Sequence, residues 1–81
     1  MEEKIRLMLE APINEKGYFL YKVEYVKENN TMFLRLYIDK KGIMSIDDCV
    51  TVSDIVNPIL DREDPIEESY ILDVCSKGEG D

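Results

Sequence analysis

At 81 residues and 44% hydrophobic, the chain is one domain with a thin core, because a chain this short buries only about 60–65% of its unfolded surface. With no His, two Cys and no run near the roughly 20 apolar residues of a membrane span, it is neither a disulfide scaffold nor a zinc module, and no membrane partner is expected. Its net charge of −8 is uneven: residues 1–41 hold seven acids and eight bases, whereas residues 42–81 hold eleven acids and only Arg62 and Lys77 as bases. The second half therefore repels phosphate and suits a neutral or basic partner.

The chain opens with a helix predicted over residues 2–16. Ile5, Met8, Leu9, Pro12 and Ile13 make one apolar stripe at helical spacing. Glu2 and Glu3 suit the positive end of its dipole, Pro12 predicts a kink or a local loosening, and Gly17 is placed to end it. Residues 18–27 read as a strand whose more apolar face is Phe19, Tyr21, Val23 and Tyr25. Glu28-Asn29-Asn30 is a turn of residues that tolerate left-handed backbone. Residues 31–39 form the second strand of a hairpin, with Met32, Leu34, Leu36 and Ile38 on one face and Phe33, Arg35, Tyr37 and Asp39 on the other.

Asp39-Lys40-Lys41-Gly42 then turns the chain, and Ser45 caps a helix carrying Asp47 and Asp48 in its first turn. That helix is expected to run to about Leu60, with Cys49, Val52, Ser53, Val56, Ile59 and Leu60 as its buried stripe and Pro58 weakening its last turn. Asp61-Arg62-Glu63-Asp64-Pro65 reads as a polar connection. Residues 69–75 make a third strand, with Tyr70, Leu72 and Val74 opposite Ile71, Asp73 and Cys75. The fold class is α+β: a two-layer α-β-β-α-β sandwich, with a three-stranded mixed sheet covered on one face by two helices and open on the other. If the second and third strands are parallel neighbours, a right-handed crossover is expected.

Little in this sequence supports catalysis. A nucleophile needs a general base beside it, and without His the only bases are carboxylates and lysines. Ser45, Ser53, Ser69 and Ser76 read as a cap, a packing residue, a strand start and a tail residue. Cys49 lies on the apolar side of a helix, where a thiol is inert. Asp47 and Asp48 point about 100° apart on a helix and do not converge on one ion. Asp61, Glu63 and Asp64 lack the ladder and central Gly of a calcium loop. They read, with Asp47 and Asp48, as solvated capping and loop acids. No glycine belongs to a phosphate-binding motif, so no cofactor, metal or small-molecule substrate is expected. The N-terminal Met-Glu-Glu-Lys lacks the basic-then-apolar order of a signal peptide, and reduced thiols in the cytoplasm are the expected state. The element order is shared with KH-type RNA-binding domains, but the GXXG loop that clamps nucleotides is missing. The Phe33-Arg35-Tyr37 row could stack bases, pack, or meet a protein.

The run Gly17-Tyr18-Phe19-Leu20-Tyr21-Lys22-Val23-Glu24-Tyr25-Val26-Lys27 resembles the first strand of the RimP ribosome maturation factor family. The resemblance continues in order through Leu34-Arg35-Leu36-Tyr37-Ile38-Asp39-Lys40, Ile46-Asp47-Asp48-Cys49, Val52-Ser53, Leu60-Asp61, Asp64-Pro65-Ile66 and Tyr70-Ile71-Leu72-Asp73-Val74. No single piece is specific, but the ordered set is.

The resemblance implies a non-catalytic, cytoplasmic factor that assists assembly of the small ribosomal subunit beside a basic ribosomal protein and the rRNA around it. It implies a domain over residues 1–75, with residues 76–81 a disordered tail or the start of a linker to an SH3-like barrel that this chain lacks. The family's Ser-Ser-Pro-Gly run is replaced here by Cys75-Ser76-Lys77-Gly78. It places surface acids for protein binding at Asp39, Asp47, Asp48 and Asp64. The alternative is direct rRNA binding through the near-neutral half, using Arg35, Lys40 and Lys41 together with Lys22 and Lys27.

Overall fold

The computed structural model describes residues 1–77 and has the order α1 (Glu2–Glu15), β1 (Tyr18–Glu28), β2 (Thr31–Lys40), α2 (Ile46–Glu63) and β3 (Ile71–Ser76). The expected tail lies outside the described residues from residue 78 onward, and Ser76 itself ends β3. The sheet order is β1-β2-β3, with β1 antiparallel and β2 parallel to their next neighbours, so the sheet is mixed as expected.

The hairpin closes on Asn29 and Asn30, at φ of 50° and 64°, between the paired Glu28 and Thr31. Two left-handed residues in a two-residue loop match the right-handed twist of the flanking strands. Gly17, at φ 89°, ends α1 as expected, its N–H bonding the Asn14 carbonyl at 3.0 Å.

Leu34, Leu36 and Ile38 of β2 are fully buried beneath Ile5, Leu9 and Ile13 of α1 and Val52, Val56 and Leu60 of α2. Each such side chain contributes about 1.5–3 kcal/mol. Both helices continue past their prolines: α1 runs through Pro12 to Glu15, and α2 through Pro58 to Glu63. The second helix is thus longer than expected. Asp61, Arg62 and Glu63 are its last turn, and it stops where Asp64 turns left-handed (φ 44°) ahead of Pro65.

One expectation about β1 is overturned. Leu20 pairs with Ile38, but Lys22 pairs with Tyr37, so Tyr21 is an extra residue in a β-bulge. An extra residue reverses the alternation of every side chain before it. Tyr18 and Leu20 therefore point into the core with Val23, while Phe19 and Tyr21 stand 53% and 47% exposed on the open face. Two side chains of α1 cover the backbone at this edge. Arg6 donates to the Leu20 and Tyr21 carbonyls (3.0 and 3.4 Å), and Glu2 accepts from the Tyr25 N–H at 2.9 Å.

Candidate functional site

Three places concentrate polar side chains. The first is the junction between the N-terminus of α2 and the hairpin. Ser45 caps α2 in extended backbone, and Asp48 returns the bond to the Ser45 N–H at 2.9 Å, a complete capping box. The Tyr18 hydroxyl donates to Asp48 Oδ1 at 2.7 Å, and Lys40 Nζ lies 2.9 Å from Asp48 Oδ2. Lys40, then Tyr18, then the Ser45 backbone hold this carboxyl well below the usual carboxylate range. Asp48 is thus not the solvated acid expected: it is buried and fastens α2 to both ends of the hairpin.

The second place is the far end of α2. Asp61 and Asp64 line a cleft of about 490 Å³ together with Glu67, Glu68, Ser69 and Tyr70. All four acids are exposed. Burial, then Asp61 and Asp64, push the Tyr70 hydroxyl's pKa up, so it stays a neutral donor. Arg62, the one base in this stretch, bonds Glu63 at 3.0 Å. The cleft is therefore a patch of carboxylates with a neutral hydroxyl at its wall, which attracts cations and repels phosphate.

The third place is the open sheet face. Arg35 is held by Glu28 through two bonds (2.7 and 3.0 Å) and by Asp73 at 3.4 Å, and it stacks 4.9 Å from the Phe33 ring. Those carboxylates, Glu28 first, raise its pKa further. The Tyr37 hydroxyl donates to Glu24 at 2.8 Å, which lowers the pKa of Glu24 and raises that of Tyr37. Lys22 reaches Glu24 at 3.4 Å and lies over the Tyr37 ring. Arg35 and Tyr37 of β2 are thus engaged with side chains of the neighbouring strands, while Phe19 and Tyr21 of β1 are the half-exposed aromatics of this face, with Lys77 4.8 Å from the Tyr21 ring centre.

A family model described as the RimP N-terminal domain matches residues 8–79. The chain belongs to the RimP family. RimP proteins are ribosome maturation factors, generally non-catalytic, and they act in ribosome assembly. Among the described residues no helix is long and apolar enough to cross a membrane.

Within this RimP domain the acids expected to bind protein do not gather in one place. Asp39 lies on the open-face side of β2, where its carboxylate accepts from the Lys40 N–H at 2.9 Å. Asp47 is exposed in the first turn of α2, and Asp48 is buried beside it. Asp64 caps the other end, about 25 Å away at the helical rise per residue. Asp64 is the one that joins a larger cluster: Asp61, which the sequence reads with it as a solvated loop acid, lines the same cleft, together with Glu67 and Glu68, which the sequence reading does not single out. Their signal was there: five of the eight residues from 61 to 68 are acids. The residues proposed for RNA fare differently. Arg35 and Lys40 are neutralised by carboxylates, and Lys41 is exposed beyond the end of β2.

Proposed function

We propose that this domain serves maturation of the small ribosomal subunit in the cytoplasm by holding a basic ribosomal protein against its acidic half. Family membership supplies the ribosomal setting, and the carboxylate cleft at the C-terminal end of α2 is the observation that carries the choice of partner. Carboxylates in a concave setting speed the encounter with a cationic surface, and the effect weakens with salt. Asp47 and Asp39 extend the negative field, while Asp48 acts at one remove, by fixing α2. In this reading the segment from residue 76 leads toward a second, SH3-like domain.

Direct binding of rRNA through the hairpin is the weaker reading. Lys22, Arg35 and Lys40 would first have to leave their carboxylates. The test is retention of proteins from purified small subunits by the immobilised chain at low and high salt. The expected result is a basic protein retained at low salt, released at high salt, and retained poorly by a variant with Asp61 and Asp64 changed to Asn and Glu67 and Glu68 changed to Gln. Equal retention by that variant sinks the charge argument.

A further inference from the structure

The two edges of the sheet are treated differently. At β1, Arg6 and Glu2 of α1 reach the outward backbone of Leu20, Tyr21 and Tyr25, and the bulge at Tyr21 twists the edge. Both are common ways of blunting an edge strand. At the other edge, β3 pairs with β2 on one side and ends the sheet on the other. In a parallel ladder, alternate residues turn their N–H and C=O groups away from the neighbouring strand. The sequence Ile71-Leu72-Asp73-Val74-Cys75-Ser76 contains no Pro, Lys or Gly and no bulge. Its one charge, Asp73, is turned to Arg35, and Ile71 is half exposed.

Such an edge accepts a further strand. The acidic cleft lies between the last turns of α2 and the start of β3, with Leu72 in its wall. A strand laid beside β3 would point alternate side chains toward the helix layer, and those near its start would enter that cleft.

We propose that β3 is the docking edge of this domain, and that its occupant is an extended, Lys- or Arg-bearing segment of a partner protein. That segment adds as a fourth strand with its cations among Asp61, Asp64, Glu67 and Glu68. The inference rests on the functional reading above and adds to it the element and the backbone geometry of capture. A second copy of this chain is disfavoured as the occupant, because each copy carries a net charge of −8 and would bring its own acids to the same edge.

The probe is an eight-residue peptide alternating lysine and valine, titrated into the isotope-labelled full chain. A control peptide has the same sequence with every backbone amide methylated, which preserves charge and removes the donors. The expected result is that alternate amides within residues 71–76 exchange about tenfold more slowly when the first peptide saturates, and that the methylated peptide has no such effect. Changing Glu67 and Glu68 to Gln, exposed positions outside the strand, is expected to weaken binding several-fold.

Three results would overturn the inference: shifts confined to residues 61–68 without protection of β3, equal binding of the methylated peptide, or protection without peptide in a species of doubled mass. Capture of a small-subunit protein without protection of β3 removes the docking edge alone. Protection of β3 by the peptide with no small-subunit protein retained supports the edge and removes the functional reading.

Discussion

Replacing Tyr18 by Phe isolates one bond of the junction that fixes α2. The ring is 8% exposed and packs in the core, so Tyr18→Phe deletes an oxygen and little else. The lost bond is the 2.7 Å donation to the Asp48 carboxylate. Hydrogen bonds to charged groups contribute about 1.5–3 kcal/mol. Because Lys40 and Ser45 remain on Asp48, the carboxylate is not orphaned, and the low end, about 1.5 kcal/mol, is expected. For a domain of this size that is a fall in Tm of about 6–12 °C.

The pH dependence has a definite sign on each side. Asp48 is lowered in the native state, Lys40 being the first cause. Its stabilisation is thus complete above the unfolded carboxylate value of about 4 and is lost as pH falls from there toward the native value. Tyr18 is raised, the bond to Asp48 being the first cause. Its stabilisation is complete below the unfolded tyrosine value of about 10 and is lost as pH rises above it. The difference between Tyr18→Phe and the parent should therefore be flat between about pH 5 and 9 and shrink on both sides. Urea unfolding followed by circular dichroism, with midpoint and slope compared at pH 3, 7 and 11, measures it. A loss under about 0.3 kcal/mol at pH 7 would refute the reasoning, and so would a loss that does not change with pH.

Other expectations follow from single residues. Ser45→Ala removes the cap of α2 and should cost about 1 kcal/mol in the same assay; combined with Tyr18→Phe it should be non-additive, because both act through Asp48. Leu36→Ala empties a fully buried site in the central strand and should cost about 2–5 kcal/mol, enough to leave much of the domain unfolded in thermal melts. Asn30→Gly places the residue favoured at φ 64° in the hairpin turn and should raise the unfolding free energy in the same urea assay by a few tenths of a kcal/mol. Asp64→Gly relieves a left-handed residue at the end of α2 while removing a cleft acid. It should raise Tm and lower retention of a basic partner at once, which separates binding from stability.

The hydrophobic periods of β2 and both helices were enough to place the layers, because each depends on residues three or four apart on a helix or two apart on a strand. The face of β1 was not legible. A bulge at Tyr21 is set by how Leu20 and Lys22 pair with β2 and by Arg6 gripping the carbonyls beside it, and neither is visible within the strand. The burial of Asp48 is hidden from the sequence for a related reason. Locally it is one of two acids in a first turn, and the partners that bury it, Tyr18 and Lys40, come from the two ends of the hairpin. From the sequence α2 ends near Leu60, because the polar run from Asp61 to Pro65 reads as a connection; Asp61, Arg62 and Glu63 nevertheless form the last, exposed turn of the helix. The acid-rich run from 61 to 68 was visible as charge, and its closure into a cleft required the left-handed turn at Asp64 to bring Glu67 and Glu68 back toward α2.

The central claim is that the cleft carboxylates select a basic small-subunit protein. The direct measurement is the affinity of the full chain for proteins separated from purified small subunits, with and without neutralisation of Asp61, Asp64, Glu67 and Glu68, over a salt series. The account predicts one basic protein whose binding weakens with salt and drops about tenfold or more in the neutralised variant. Unchanged affinity in that variant, or retention of rRNA in place of protein, would contradict it.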